Sequence, residues 1–201
     1  MKSGAGAKPS PGPQRMRNAL RRKAMAEAMT ADQAVFLLQN VYLGPLKTES
    51  RTTKKILEAV PADKAEYRPD PASRSAIELA RHIAAADNRF VETVISSVFD
   101  TNPAMIPENV KTPAEIAAWY EERYGKNFEA LTKLTGEQLI KIVDFRGMMR
   151  RPAVTFLMMG LHHTIHHRGQ LSSYLRCMGA KVPSIYGESY DDAQARRAAQ
   201  A

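Results

Sequence analysis

PAVTFLMMGLHHTIHHRGQLSSYLRCMG, residues 152–179, is the stretch on which the reading of this chain turns. A proline opens it and a glycine closes it, the usual punctuation of a helix that begins near Pro152 and ends at Gly179. Val154, Leu157, Leu161, Ile165 and Leu175 recur at helical spacing and mark the main apolar stripe. Four of the chain's five histidines fall within residues 162–167. Positions i and i+4 share a helix face, so two pairs are available, His162/His166 and His163/His167. On the helical wheel His163 and His167 run with Phe156, Gly160, Tyr174 and Met178, the more apolar flank. His162 and His166 run with Thr155, Gly169 and Ser173. Either pair becomes a metal site only if a third ligand arrives from a neighbouring helix. The fifth histidine, His82, sits on the margin of a stripe formed by Leu79, Ile83, Ala86 and Phe90. Two imidazoles one turn apart and one from a second helix would hold a divalent ion and leave coordination positions open.

Outward from this helix the sequence reads as helical throughout. Thr30 caps a segment over 31–43, which Pro45 should interrupt before a second piece reaches about Val60. Pro61, Pro69 and Pro71 mark a loop. Ser75-Ala-Ile-Glu78 is a capping box for a helix to about Phe99. Thr112-Pro-Ala-Glu115 is another, with proline at the first helical position, for a helix to about Leu134. Thr135 to Gln138 offers a short extra turn, and residues 141–150 lean toward extended backbone. The expectation is an all-α, up-down four-helix bundle over 30–190, with a flexible tail over 191–201.

Composition agrees. With 44% hydrophobic and 25% charged residues, 201 residues suffice for one ordinary globular core. A single cysteine, Cys177, excludes an internal disulfide and fits a reducing, cytoplasmic setting. No apolar run is long enough for a membrane span, and the N-terminus lacks the apolar core of a signal peptide. The net charge is +8, but residues 1–29 hold seven basic side chains against Glu27 alone. The basicity therefore belongs to an extension that is rich in Gly, Pro and Ser over 1–14, read as disordered or partly helical. Any nucleic-acid contact is confined to that tail.

HTIHHRGQL (163–171) followed by SYLRCMG (173–179), with LEAVPADKAEYRPDPASRSAIELARHIAAADNRF (57–90) upstream and VPSIYGESYDD (182–192) downstream, resembles the DinB-like superfamily of damage-inducible proteins. The likeness covers about 30–190. It implies a four-helix bundle, commonly a homodimer, whose divalent metal, zinc or nickel, is held by three histidines. On this chain those are His82, His163 and His167. Characterised relatives include thiol-dependent enzymes, among them bacillithiol transferases and a mycothiol-dependent maleylpyruvate isomerase. The implied activity is thus metal-dependent S-transfer or metal-assisted hydrolysis of a small-molecule substrate, with a low-molecular-weight thiol as cofactor. The alternative is a non-catalytic dimeric bundle in which metal serves structure alone. Arg168, Gly169 and Gln170 complete the motif and are expected to support helix packing. Asp87, Glu78 and Gln170 are the polar candidates for orienting the imidazoles. Cys177 is expected to be a buried, inert thiol. Trp119 and Tyr120 read as core or pocket wall, and Arg146, Arg150 and Arg151 as a solvated cluster that could otherwise receive an anion.

Overall fold

Thr30, Ser75, Thr112 and Thr135 each close a reciprocal capping box in the computed structural model, which describes residues 14, 28–100 and 106–200. The basic extension read over 1–29 falls almost wholly outside the described residues. Helix α1 spans Ala31–Leu37, continues through a π-turn at Leu38–Tyr42, and runs on as α2, Leu43–Glu58. The interruption expected at Pro45 is therefore a π-turn just ahead of it. Pro45 itself lies inside the continuous run, as the third residue of α2. Helix α3 is Ala76–Ser96 and α4 is Pro113–Thr132. A single turn, α5 (Gly136–Leu139), leads into a hairpin of β1 (Ile142–Phe145) and β2 (Met149–Pro152). The long helix α6 is Phe156–Cys177.

The hairpin pairs Ile142 with Pro152 and Phe145 with Met149. Arg146 (φ 55°) and Gly147 (φ 70°) turn it, and Asp144 accepts from the Gly147 N–H at 2.6 Å. Pro152 consequently ends a strand instead of starting α6, which begins after a 3₁₀ turn at Ala153–Thr155.

Four helices make the bundle. Helix α3 packs on α4 and α6, and α2 packs on the same two, so α2 and α3 lie across the diagonal. The connection over 59–75 spans that diagonal along the C-terminal end of α6. There Lys64 Nζ donates to the Met178 carbonyl at 2.6 Å, and the Tyr67 and Tyr174 rings meet edge-on at 5.8 Å. This packing sets the first turns of α3 beside the second half of α6.

Along α6 the buried residues are Phe156, Leu157, Gly160, Thr164, Arg168, Leu171, Tyr174 and Leu175. The stripe expected through Leu161 and Ile165 is displaced, and both are only half-buried. Its centre is Gly160, Thr164 and Arg168. Arg168 is 1% exposed; it pairs with the Glu49 carboxylate and donates to the Glu49 carbonyl (3.2 Å) and to the Tyr186 hydroxyl (2.9 Å). A buried guanidinium persists only with such partners, in keeping with the packing role expected of Arg168. Residues 190–198, read mostly as tail, form α7 (Tyr190–Ala198), whose Asp191 pairs with Arg176 at 2.8 Å and accepts from the Val182 N–H.

Candidate metal centre

The antiparallel contact of α3 with α6 turns three imidazoles toward one point. His82 lies two turns into α3; His163 and His167 lie one turn apart on α6. The His82 Nε2 is 3.1 Å from His163 Nε2 and 3.2 Å from His167 Nε2. The ring pairs are tilted edge to face, with centroids 4.5–4.9 Å apart. Among the described residues these three form the one His/Cys/Asp/Glu cluster at metal-ligand spacing. His162 and His166 are exposed on the other side of α6, so the choice between the two pairs falls to His163/His167.

The spacing itself tests whether a cation fits. With metal–nitrogen bonds of about 2.0–2.1 Å, separations of this size subtend about 95–105° at an ion, between the octahedral and tetrahedral angles. Hydrogen bonding alone does not explain the arrangement. The His82 Nε2 offers one proton or one lone pair, in the ring plane, and cannot bond well to two further ring nitrogens at once. One lone pair is therefore left facing another nitrogen, a conflict that a cation removes.

Electrostatics prepare the same atoms. Burial first, then the charge of His167 and of Arg74, lowers His82 to about 4. Burial, then the neighbouring histidines and Arg74, lowers His163 to about 4. His167 is lowered by burial, against a hydrogen bond with Gln170 that raises it. All three are thus neutral at pH 7, the form that ligates. The Gln170 amide oxygen lies 3.0 Å from His167 Nδ1, so Nδ1 carries the proton and Nε2 keeps its lone pair for an ion.

Of the other orienting candidates, Asp87 accepts from Tyr120 (2.6 Å) and Glu78 pairs with Arg68 (2.9 Å); neither reaches a ring. Arg74 is a residue that sequence reasoning missed. It is exposed, and its charge acts on all three imidazoles from the residue before the Ser75 cap. The hairpin's Arg146, Arg150 and Arg151 are exposed, as expected of a solvated cluster, and Arg150 lies 3.9 Å from Asp144. Tyr120 is buried and Trp119 is half-buried against the core. Cys177 is exposed, not buried as expected, because it sits in the last turn of α6, where Tyr67 of the 59–75 connection lies beside it but does not cover it.

A family model described as the DinB family matches residues 32–199. The chain is similar to two uncharacterized Bacillus subtilis proteins. It is 30% identical to YjoA over 133 residues, covering 63% of this chain and 82% of that one, and 26% identical to YrdA over 155 residues, covering 75% and 89%. Among solved structures, a DinB-like protein of Bacillus cereus superposes with a TM-score of 0.55 at 26% identity, covering 72% of this chain and 95% of that one. The structure of YjoA superposes with a TM-score of 0.59 at 24% identity, covering 73% and 96%, a likeness of fold.

Proposed function

The chain belongs to the DinB family, and from that premise we propose that it is a divalent-metal-dependent enzyme of the S-transferase or hydrolase type, with His82, His163 and His167 as the ligands of zinc or nickel. The observation that carries this reading is the convergence of three Nε2 atoms from two helices, all within 4.8 Å of one another, with no fourth protein ligand among the described residues. A purely structural site is normally closed by four protein ligands; three leave room for a reactant.

When bound, the ion supplies Lewis acidity, stabilising a thiolate or a hydroxide near neutral pH. The protein does the rest. Burial keeps the His82 and His163 rings neutral, and the Gln170 amide fixes the His167 tautomer. The positive charge of Arg74 acts on all three imidazoles and favours an anionic nucleophile over its protonated form. The co-substrate is a low-molecular-weight thiol, and the acceptor is a small electrophile.

Elemental analysis of the purified protein tests the premise. About one divalent ion per chain is expected, with loss of the ion in His163→Ala at unchanged helix content. Metal-free wild type after zinc or nickel loading, or full occupancy in His163→Ala, contradicts it. A screen of electrophiles against small thiols then separates transferase from hydrolase.

A further inference from the structure

On the side of the bundle away from the α3/α6 crossing, α2 and α4 form the walls of a cavity of about 470 Å³, within the roughly 300–1,000 Å³ of small-ligand sites. Two stripes line it, one from each helix. Lys47, Arg51 and Lys55 recur at i, i+4 and i+8 on α2, and Tyr120, Tyr124 and Phe128 recur at the same spacing on α4. Tyr120 and Tyr124 are buried, with ring centroids 5.4 Å apart, and Phe128 is half-buried, so α4 supplies an apolar floor. The Tyr120 hydroxyl donates to the buried Asp87 at 2.6 Å, which anchors that floor to α3. Gly125 lines the same wall, and a Cβ built on it would meet nothing within 4 Å. The absent side chain is room that a ligand can use.

The charges around this cavity are unevenly answered. On the outer face of α4 the i, i+4 spacing joins opposite charges, Glu122 with Lys126 at 2.5 Å and Glu129 with Lys133 at 2.6 Å. Within the cavity Lys54 takes both acidic side chains, Glu121 at 2.7 Å and Glu58 at 3.6 Å. Lys47, Arg51 and Lys55 are exposed and have no ion pair among the described residues. Four cationic side chains minus two acidic ones leave a surplus of two positive charges. Like charges one helical turn apart repel, and the α2 stripe sets two such pairs in succession, Lys47 with Arg51 and Arg51 with Lys55. An anion between them relieves both.

We infer that the α2/α4 cavity is a second ligand site, and that it takes small amphipathic anions: an apolar, ring-sized body against Tyr120, Tyr124 and Phe128, and an acidic head on the α2 stripe. Arg51 stands at the centre of that stripe and offers a planar fork to the head, with Lys47 and Lys55 as point charges one turn to either side. A bare inorganic anion meets only the charges, and a neutral arene meets only the floor. The two together define the ligand class. None of the three imidazoles lines this cavity, so the inference stands apart from the metal reading.

The test is titration calorimetry on full-length protein, with and without added zinc. Naphthalene-2-sulfonate should bind at least about tenfold tighter than methyl 2-naphthyl sulfone, which has the same body and no charge, and tighter than inorganic sulfate, which has charge and no body. The double variant Lys47→Gln with Arg51→Gln should remove the preference over the sulfone. Gly125→Leu, which fills the cavity while improving helix propensity, should abolish binding with the charges in place. His163→Ala should leave the preference intact. Equal affinities for sulfonate and sulfone, or for sulfonate and sulfate, overturn the inference while leaving the metal site standing. So does binding that survives Gly125→Leu, a preference that survives the double variant, or one that disappears in His163→Ala, which places the anion at the imidazoles. Affinity that falls as protein concentration rises also overturns it, because a second copy of the chain then fills the groove. The wild-type comparisons need no variant, so misfolding of one does not blunt them.

Discussion

Gln170 acts on the site only through His167 Nδ1, at 3.0 Å. Its removal should leave the fold intact and weaken metal binding about tenfold, measured by competition with a chromophoric chelator. Gln170→Glu, which keeps the acceptor, should restore affinity; unchanged affinity in Gln170→Ala would show that His167 needs no partner. A different single residue governs pH response. Asp87 is buried, and burial raises it to about 6 against the pull of the Tyr120 hydroxyl. A carboxyl with a raised folded-state pKa favours the folded state fully below its unfolded value near 4, and that contribution is lost as pH rises through about 6. Asp87→Asn cannot titrate. The stability of wild type relative to the variant, from urea unfolding, should therefore fall by about 2–3 kcal/mol between pH 4 and pH 7. A constant difference would mean that folding leaves the Asp87 carboxyl at its unfolded-state value. The three converging histidines were visible in the sequence as types and spacings, but Arg74 was not, because its effect depends on where the connection before α3 places it.

At the scale of elements, the crossing of α3 over α6 decides whether the imidazoles meet. Gly160 lies at that crossing, and a Cβ built on it would stand 2.7 Å from Phe90 Cβ. Neither atom is the free end of a side chain, so the helices must part. Gly160→Ala should cost about 1–3 kcal/mol and should also weaken metal binding, because α3 carries His82. Thermal unfolding and metal titration check the two effects. Retention of both would show that the helices are held apart elsewhere. The four threonine and serine caps were legible because each box is local, its partner three residues away. The π-turn, the hairpin and the true start of α6 were not. Pro152 suits both a helix start and a strand end, and pairing with Ile142 decides between them. The apolar stripe of α6 was displaced for a related reason: Arg168 is buried among partners on other elements, which no periodicity records.

For the whole molecule, the diagonal placement of α2 and α3 matters most. The connection over 59–75 lies against the end of α6 through Lys64 and Tyr67, and Arg168 ties α6 to α2 and to the C-terminal segment through Glu49 and Tyr186. Helix α6 is thereby fixed on both sides by protein contacts alone. No helix among the described residues is long and apolar enough to cross a membrane. The bundle was readable from helix lengths and caps alone; the order of helices around it was not, since a long loop permits adjacent or diagonal neighbours equally. X-ray absorption at the metal edge of zinc- or nickel-loaded protein probes the central claim directly. The account predicts three imidazole nitrogens at about 2.0–2.1 Å together with at least one exchangeable oxygen or added sulfur. A shell containing fewer than three imidazoles, or one filled by protein ligands with no exchangeable position, would contradict it.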